Sequence, residues 1–160
     1  MKSLCVIIFL LPISWSVYAQ PGHLPYVETV SKAMLEGVTM GHLDSIYKNA
    51  VHIDSTKAVF RPGKEQDSMK RAYTSFLQEL GKYLSSHDFR WEKPVRCWNR
   101  IYFAPDGSVD YYLFDFKTEI SDEQLLRFKE LFTAFAATHK ISIKAAVRFA
   151  QCSPVTYMDK

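Results

Sequence analysis

The stretch VRCWNRIYFAPDGSVDYYLFDF, Val95 to Phe116, decides the fold of this chain. Its first part, Val95 to Phe103, alternates and is rich in aromatic and β-branched residues, as a half-buried strand is. Pro105, Asp106 and Gly107 then signal a tight reversal, because glycine accepts the positive φ that hairpin turns require. Val109 to Phe116 follows as the return strand. The stretch reads as a β-hairpin.

Downstream, Ser121 to Gln124 has the form of a capping box, with Ser at the N-cap and Gln three residues on. The helix it starts carries Leu125, Phe128, Leu131, Phe132, Phe135 and Ala136 on one face. Ile141, Ile143, Ala145, Val147 and Phe149 then alternate with Ser142, Lys144, Ala146, Arg148 and Ala150, which predicts a closing strand. The order is strand, strand, helix, strand. The simplest sheet places the first strand in the middle, with a right-handed crossover from the second strand to the last. The helix then covers the face of Ile101, Phe103, Val109, Tyr111, Leu113 and the odd-numbered residues 141–149.

Upstream, Val27, Val30, Ala33, Met34 and Val38 fall at helical spacing, and His42 to Ala50 suggests a second short helix. Residues 51–60 are ambiguous between strand and loop, and Arg61-Pro62-Gly63 breaks the chain. A wide stripe follows on Met69, Ala72, Tyr73, Phe76, Leu77, Leu80, Tyr83 and Leu84, ended by Ser85 to Asp88. The expected class is α+β: a mainly helical portion over 20–90, then a β-β-α-β portion over 91–160 with a three-stranded antiparallel-type sheet, all in one domain.

The stretch RIYFAPDGSV, Arg100 to Val109, followed by helix and strand, resembles the C-terminal domain of TonB-type energy transducers. The likeness covers about residues 95–152. It implies that family's strand–Asp-Gly–strand–helix–strand order and a place in the bacterial envelope. The chain departs from the family in lacking a Pro-rich spacer, a retained anchor and a Trp-x-Pro-Gly-like segment after the helix. The resemblance therefore bears on fold and location, and not on energy transduction.

Location is also legible at the start of the chain. Lys2 precedes an apolar run from Leu4 to Leu11 that continues through Pro12 to Val17, and Val17-Tyr18-Ala19 ends it with small or apolar residues. That order predicts a cleavable signal peptide over residues 1–19 and a periplasmic or secreted product. The core is shorter than the roughly 20 apolar residues that span a bilayer, so no retained transmembrane segment is expected. Removing Lys2 leaves 19 basic against 17 acidic side chains, a balance that gives no argument for nucleic acid. Cys97 and Cys152 remain after cleavage, and an oxidising compartment permits a disulfide between them. The antiparallel sheet brings the start of the first strand beside the end of the last, which favours the bond. Side-chain parity opposes it, since Cys97 falls in the odd set and Cys152 in the even set. A bulge or the turn at Pro154 would correct that, and the disulfide is expected.

The even-numbered face of the sheet is the candidate binding surface. Arg96, Trp98, Arg100 and Tyr102 lie on it. Provided no bulge intervenes, Tyr112, Phe114 and Phe116 join them from the return strand, and Lys144 and Arg148 from the last. Cations interleaved with flat rings hold anionic or carbohydrate ligands through charge-assisted hydrogen bonds and stacking. The competing reading is that the N-terminal helices bury this face.

Three functions follow: a non-enzymatic binding module for a protein, peptide or anionic glycan; a small enzyme with Cys152 as nucleophile; and a structural subunit of an envelope assembly. The enzyme reading requires His52 or His87, because His139 lies a whole extended strand away from Cys152. The histidines have no metal-ligand spacing, and the chain has no phosphate loop, nucleophile elbow or cofactor motif.

Overall fold

The computed structural model describes residues 24–159; the predicted leader, residues 1–19, lies outside them. The elements run β1 (Tyr26–Thr29), α1 (Val30–Leu35), α2 (Met40–Ile46), β2 (Lys48–Asn49), α3 (Lys64–Ser86), β3 (Val95–Phe103), β4 (Val109–Phe116), α4 (Asp122–Thr138) and β5 (Phe149–Tyr157). The class is α+β. The sheet is larger than expected: five described strands in the order β1-β4-β3-β5-β2, where three were predicted. β3 pairs antiparallel with β4 and β5, as anticipated, while β1 runs parallel to β4 and β2 parallel to β5.

β1 takes residues that were read as the start of a helix. Val27 pairs with Tyr112 instead of opening a helical stripe. Strand pairing satisfies the outer edge of β4, and those backbone groups need partners once α1 and α4 pack nearby. α1 begins only where Thr29 caps it, its hydroxyl accepting from the Lys32 amide at 3.3 Å.

The last strand also moved. β5 spans Phe149–Tyr157, and residues 141–148 form a connection across the end of the hairpin. The Ile141 amide donates to the Gly107 carbonyl and the Ala145 amide to the Pro105 carbonyl, each at 3.0 Å. Gly107 sits at φ +89°, and a Cβ there would stand 2.6 Å from the Ile141 carbonyl oxygen. The connection can therefore close over the turn only because residue 107 is glycine. The alternation in 141–149 is real, with Ile141 and Phe149 buried, but it seats a strap and not a strand.

α3 and α4 cover one face of the sheet. Ser121 accepts from the Gln124 amide at 3.1 Å and starts α4 as predicted, while the Gln124 side chain donates to the Arg90 carbonyl instead of completing a capping box. Phe76, Leu80, Phe128, Phe132 and Phe135 meet Ile101, Phe103, Tyr112, Phe114 and Phe149 in the main core. A register shift in the β3–β4 pairing between Tyr102 and Phe103 sets Phe103 opposite Val109 and Tyr102 opposite Tyr111. This bulge places both Val109 and Tyr112 on the helix side. Tyr111 and Leu113, expected under α4, consequently face the other way, where Leu113 packs with Ala33, Leu43, Tyr47, Tyr102 and Ala150 beneath α1 and α2.

Asn99 lies wholly buried in the middle of β3 and gathers partners from both neighbouring strands. Its Oδ1 accepts from the Tyr112 hydroxyl at 2.7 Å and from the Cys97 thiol at 3.1 Å, and its Nδ2 donates to the Tyr157 hydroxyl at 3.3 Å. Tyr112 and Tyr157 also meet each other at 3.2 Å. An Asn99→Ala substitution leaves two buried hydroxyls with fewer partners and opens a small void. The expected loss is about 2–3 kcal/mol in denaturant unfolding; a change below roughly 0.5 kcal/mol, the scale of an uninvolved surface site, contradicts this arrangement.

Candidate functional site

The second face of the sheet divides into a covered part and a bare part. Beneath α1 and α2, four tyrosines from four strands or their ends form a cluster. The Tyr47 and Tyr102 rings meet edge to face at 5.1 Å, each of them stands 6.1 Å from Tyr111, and Tyr26 stands 5.9 Å from Tyr111. Such tilted ring pairs add to the area they bury. The polar tips are used: the Tyr47 hydroxyl donates to Asp110 Oδ2 at 2.7 Å, and the Tyr26 hydroxyl to Glu36 Oε2 at 2.6 Å. Burial, with these acceptors adding to it, pushes both phenols well above their usual range, so they remain neutral donors.

Arg100 stands at the boundary. Only 8 % of it is exposed, and its charge is answered by Asp44 from α2. Nε and Nη2 donate to Asp44 Oδ1 at 2.9 and 2.6 Å, and the Tyr102 hydroxyl reaches the same oxygen at 3.2 Å. Nε also reaches the Tyr102 hydroxyl at 3.0 Å, and Nη2 lies 3.5 Å from Asn49 Oδ1. Burial opposes the guanidinium charge, and the bonds to Asp44 outweigh it, so the group is held even more firmly protonated than usual. Asp44 thus fastens α2 to the central strand.

Beyond Arg100 the same face is bare among the described residues. Cross-strand pairing sets Trp98 opposite Pro154 and Asp115, Arg96 opposite Thr156, and Arg100 opposite Cys152. Arg96, Cys152, Pro154 and Thr156 are exposed and Trp98 half-buried. The Arg96 side chain makes no ion pair with any described residue, whereas Asp115 is held by Lys117. β2 pairs only with Phe149 and Ala150, so the outer edge of β5 from Gln151 to Tyr157 has no described strand beside it. Pro154 lies on that edge, where a missing amide breaks no ladder.

The predicted binding set is therefore split. Arg96, Trp98, Arg100 and Tyr102 share one face, as their spacing required. Tyr112 does not join them: the bulge turns it to the opposite face, where it stacks on Phe132 at 3.9 Å. Phe114 and Phe116 go with it. Lys144 lies in the connection before β5, exposed and off the sheet. Arg148 also precedes β5, with its Nε 3.7 Å from Asp110. Asp44, Tyr47, Asn49 and Asp110 were missed. Nothing local marks them, because each partner lies in a distant part of the chain.

Cys97 and Cys152 are both free thiols, and the expected disulfide is absent. Parity decides the matter. Cys97 is buried on the helix face opposite Val155, and Cys152 is exposed on the other face opposite Arg100. Burial pushes the Cys97 thiol up to about 12, which makes it an inert core group. Among the described residues no hydrogen bond joins Cys152 to His52 or His87, the histidines proposed to assist it. His87 stacks on Tyr83 and His139 on Phe135, at the ends of α3 and α4 on the opposite side of the sheet. His52 Nδ1 accepts from the Asp54 amide at 2.9 Å. Among the described residues, no His, Cys, Asp or Glu group is arranged to hold a metal, and no helix is long and apolar enough to cross a membrane.

No family model, curated protein or solved structure matches the chain.

Removing the Asp44 carboxylate leaves the nearly buried Arg100 charge with hydroxyl and amide partners alone. Because Asp44 is itself 44 % exposed, the expected cost of Asp44→Ala is about 1–2 kcal/mol, below that of breaking a fully buried pair. The denaturation midpoint measures it. Arg100→Met in the Asp44→Ala background should recover part of the loss, and a purely additive double variant would show that the two groups are uncoupled.

Proposed function

We propose that this domain is an exported, non-catalytic binding module that takes an extended, acidic peptide segment along β5 and the bare part of the sheet. One observation carries the reading: the row Arg96–Trp98 lies open beside a strand whose outer edge has no described neighbour. An added strand would pair with the outward backbone groups of β5 on either side of Pro154, which has no amide to donate, and these supply affinity without regard to sequence. Selection would come from the side chains. Trp98 offers an aromatic platform and Arg96 a guanidinium with no ion pair to a described residue, suited to a carboxylate.

The peptide is favoured over a glycan because the bare face adjoins a strand edge. A sugar would use the ring and the cation and leave the edge unsatisfied. The predicted leader and the resemblance to envelope domains supply the expected location.

Selecting a randomised phage-displayed peptide library on chain 20–160 tests this directly. Enriched sequences should be rich in Asp or Glu beside β-branched residues. Their affinity should fall at least tenfold in Arg96→Ala/Trp98→Ala, while the circular dichroism and unfolding midpoint stay unchanged. Enrichment indifferent to both substitutions, or a variant that unfolds, would overturn the assignment of this face.

A further inference from the structure

On the far flank of the sheet, beside β2, an open groove of about 580 Å³ lies between the start of α3, residues 58–60 and the connection 143–147. Three lysines from three separate parts of the chain line it: Lys48 in β2, Lys64 in the first turn of α3 and Lys144 in the connection. None of the three makes an ion pair with a described residue. The one carboxylate in the lining, Glu65, is already engaged by the Arg61 guanidinium and the Arg61 amide. Phe60, Val59 and Ile143 give the groove an apolar floor, and Val147, 44 % exposed, prolongs it.

A groove with a wet cationic rim and a greasy floor is shaped for one kind of molecule. Three lysines lining one cavity bring like charge to it from three parts of the chain, and an anion in the groove is attracted to all three. The floor offers burial to an apolar body, and the volume falls in the ordinary range for small-ligand sites. We infer that this groove binds an amphiphilic anion, with its phosphate or carboxylate held by Lys48, Lys64 and Lys144 and its hydrocarbon part lying on Phe60, Val59 and Ile143. Lysine suits such a headgroup because its ammonium acts as a point charge with no fixed geometry. The site shares no residue with the Arg96–Trp98 face and does not depend on the peptide reading.

Titration calorimetry of chain 20–160 with octyl phosphate, below its micelle concentration, tests the assignment. Saturable binding is expected, weakened at least tenfold in Lys48→Ala/Lys64→Ala/Lys144→Ala and by raised salt. It should be retained in the corresponding triple arginine variant and unchanged in Arg96→Ala. Octyl glucoside, with the same tail and no charge, should not bind. A second arm uses flotation with vesicles of phosphatidylglycerol: capture lost in the triple alanine variant supports the same chemistry and places the anion in a lipid surface, while monomer binding alone supports a free ligand. Absence of both, equal binding of the neutral amphiphile, or indifference to the three substitutions would overturn the inference. The three lysines are exposed, so unfolding midpoints of the variants should match that of the parent.

Discussion

The structure hangs on the pairing of β3 with both of its neighbours at once. Nine residues of β3 pair without a break along β5, from Val95 opposite Tyr157 to Phe103 opposite Phe149. On the other side β3 holds β4 through a hairpin that shifts once, near the turn. A strand flanked on both edges has its backbone groups satisfied, so its side chains alone decide what each face becomes. One face receives α3 and α4 and a dense aromatic core. The other receives the short α1 and α2 over one part and, among the described residues, nothing over the rest.

That asymmetry explains where polar chemistry is found. On the core face, polar groups are closed on themselves: Asn99, Cys97, Tyr112 and Tyr157 form a network wholly inside the sheet–helix layer. Tyr73 adds a hydroxyl contact to Ser153 at 2.9 Å, linking α3 to β5. A fully satisfied network of this kind fixes one register, because a slipped strand would bury the same groups unpaired. On the second face the polar groups are graded, from the tyrosine cluster through the Asp44–Arg100 pair to the open Arg96. A further polar tie lies at the sheet margin, where Glu28 of β1 is held by Lys129 of α4. Although desolvation works against it, the carboxyl is drawn below its usual range by that lysine, the Thr29 amide and Lys32.

Much of this was legible where the signal is local. β3 and β4 have the bounds that alternation and the Asp-Gly turn indicated, and Ser121 caps α4. What the sequence could not show is set by partners far along the chain. β1 and β2 are short strands whose only warrant is an open edge of another strand. β5 begins where the alternating run 141–149 ends, because Gly107 lets that run fold over the turn as a strap. Period-two spacing correctly grouped Arg96, Trp98, Arg100 and Tyr102. A single bulged residue was enough to carry Tyr112 to the other face. Asp44 had no local signal at all.

The two cysteines report on the central pairing directly, since a one-residue slip of either strand would exchange inside for outside. In chain 20–160, which holds only Cys97 and Cys152, titration with a thiol reagent under native conditions should modify one residue quickly, identified by mass spectrometry as Cys152. Cys97 should react only after denaturation. Rapid modification of Cys97 in the folded protein, or two thiols lost to a mutual disulfide, would contradict the register on which the account is built.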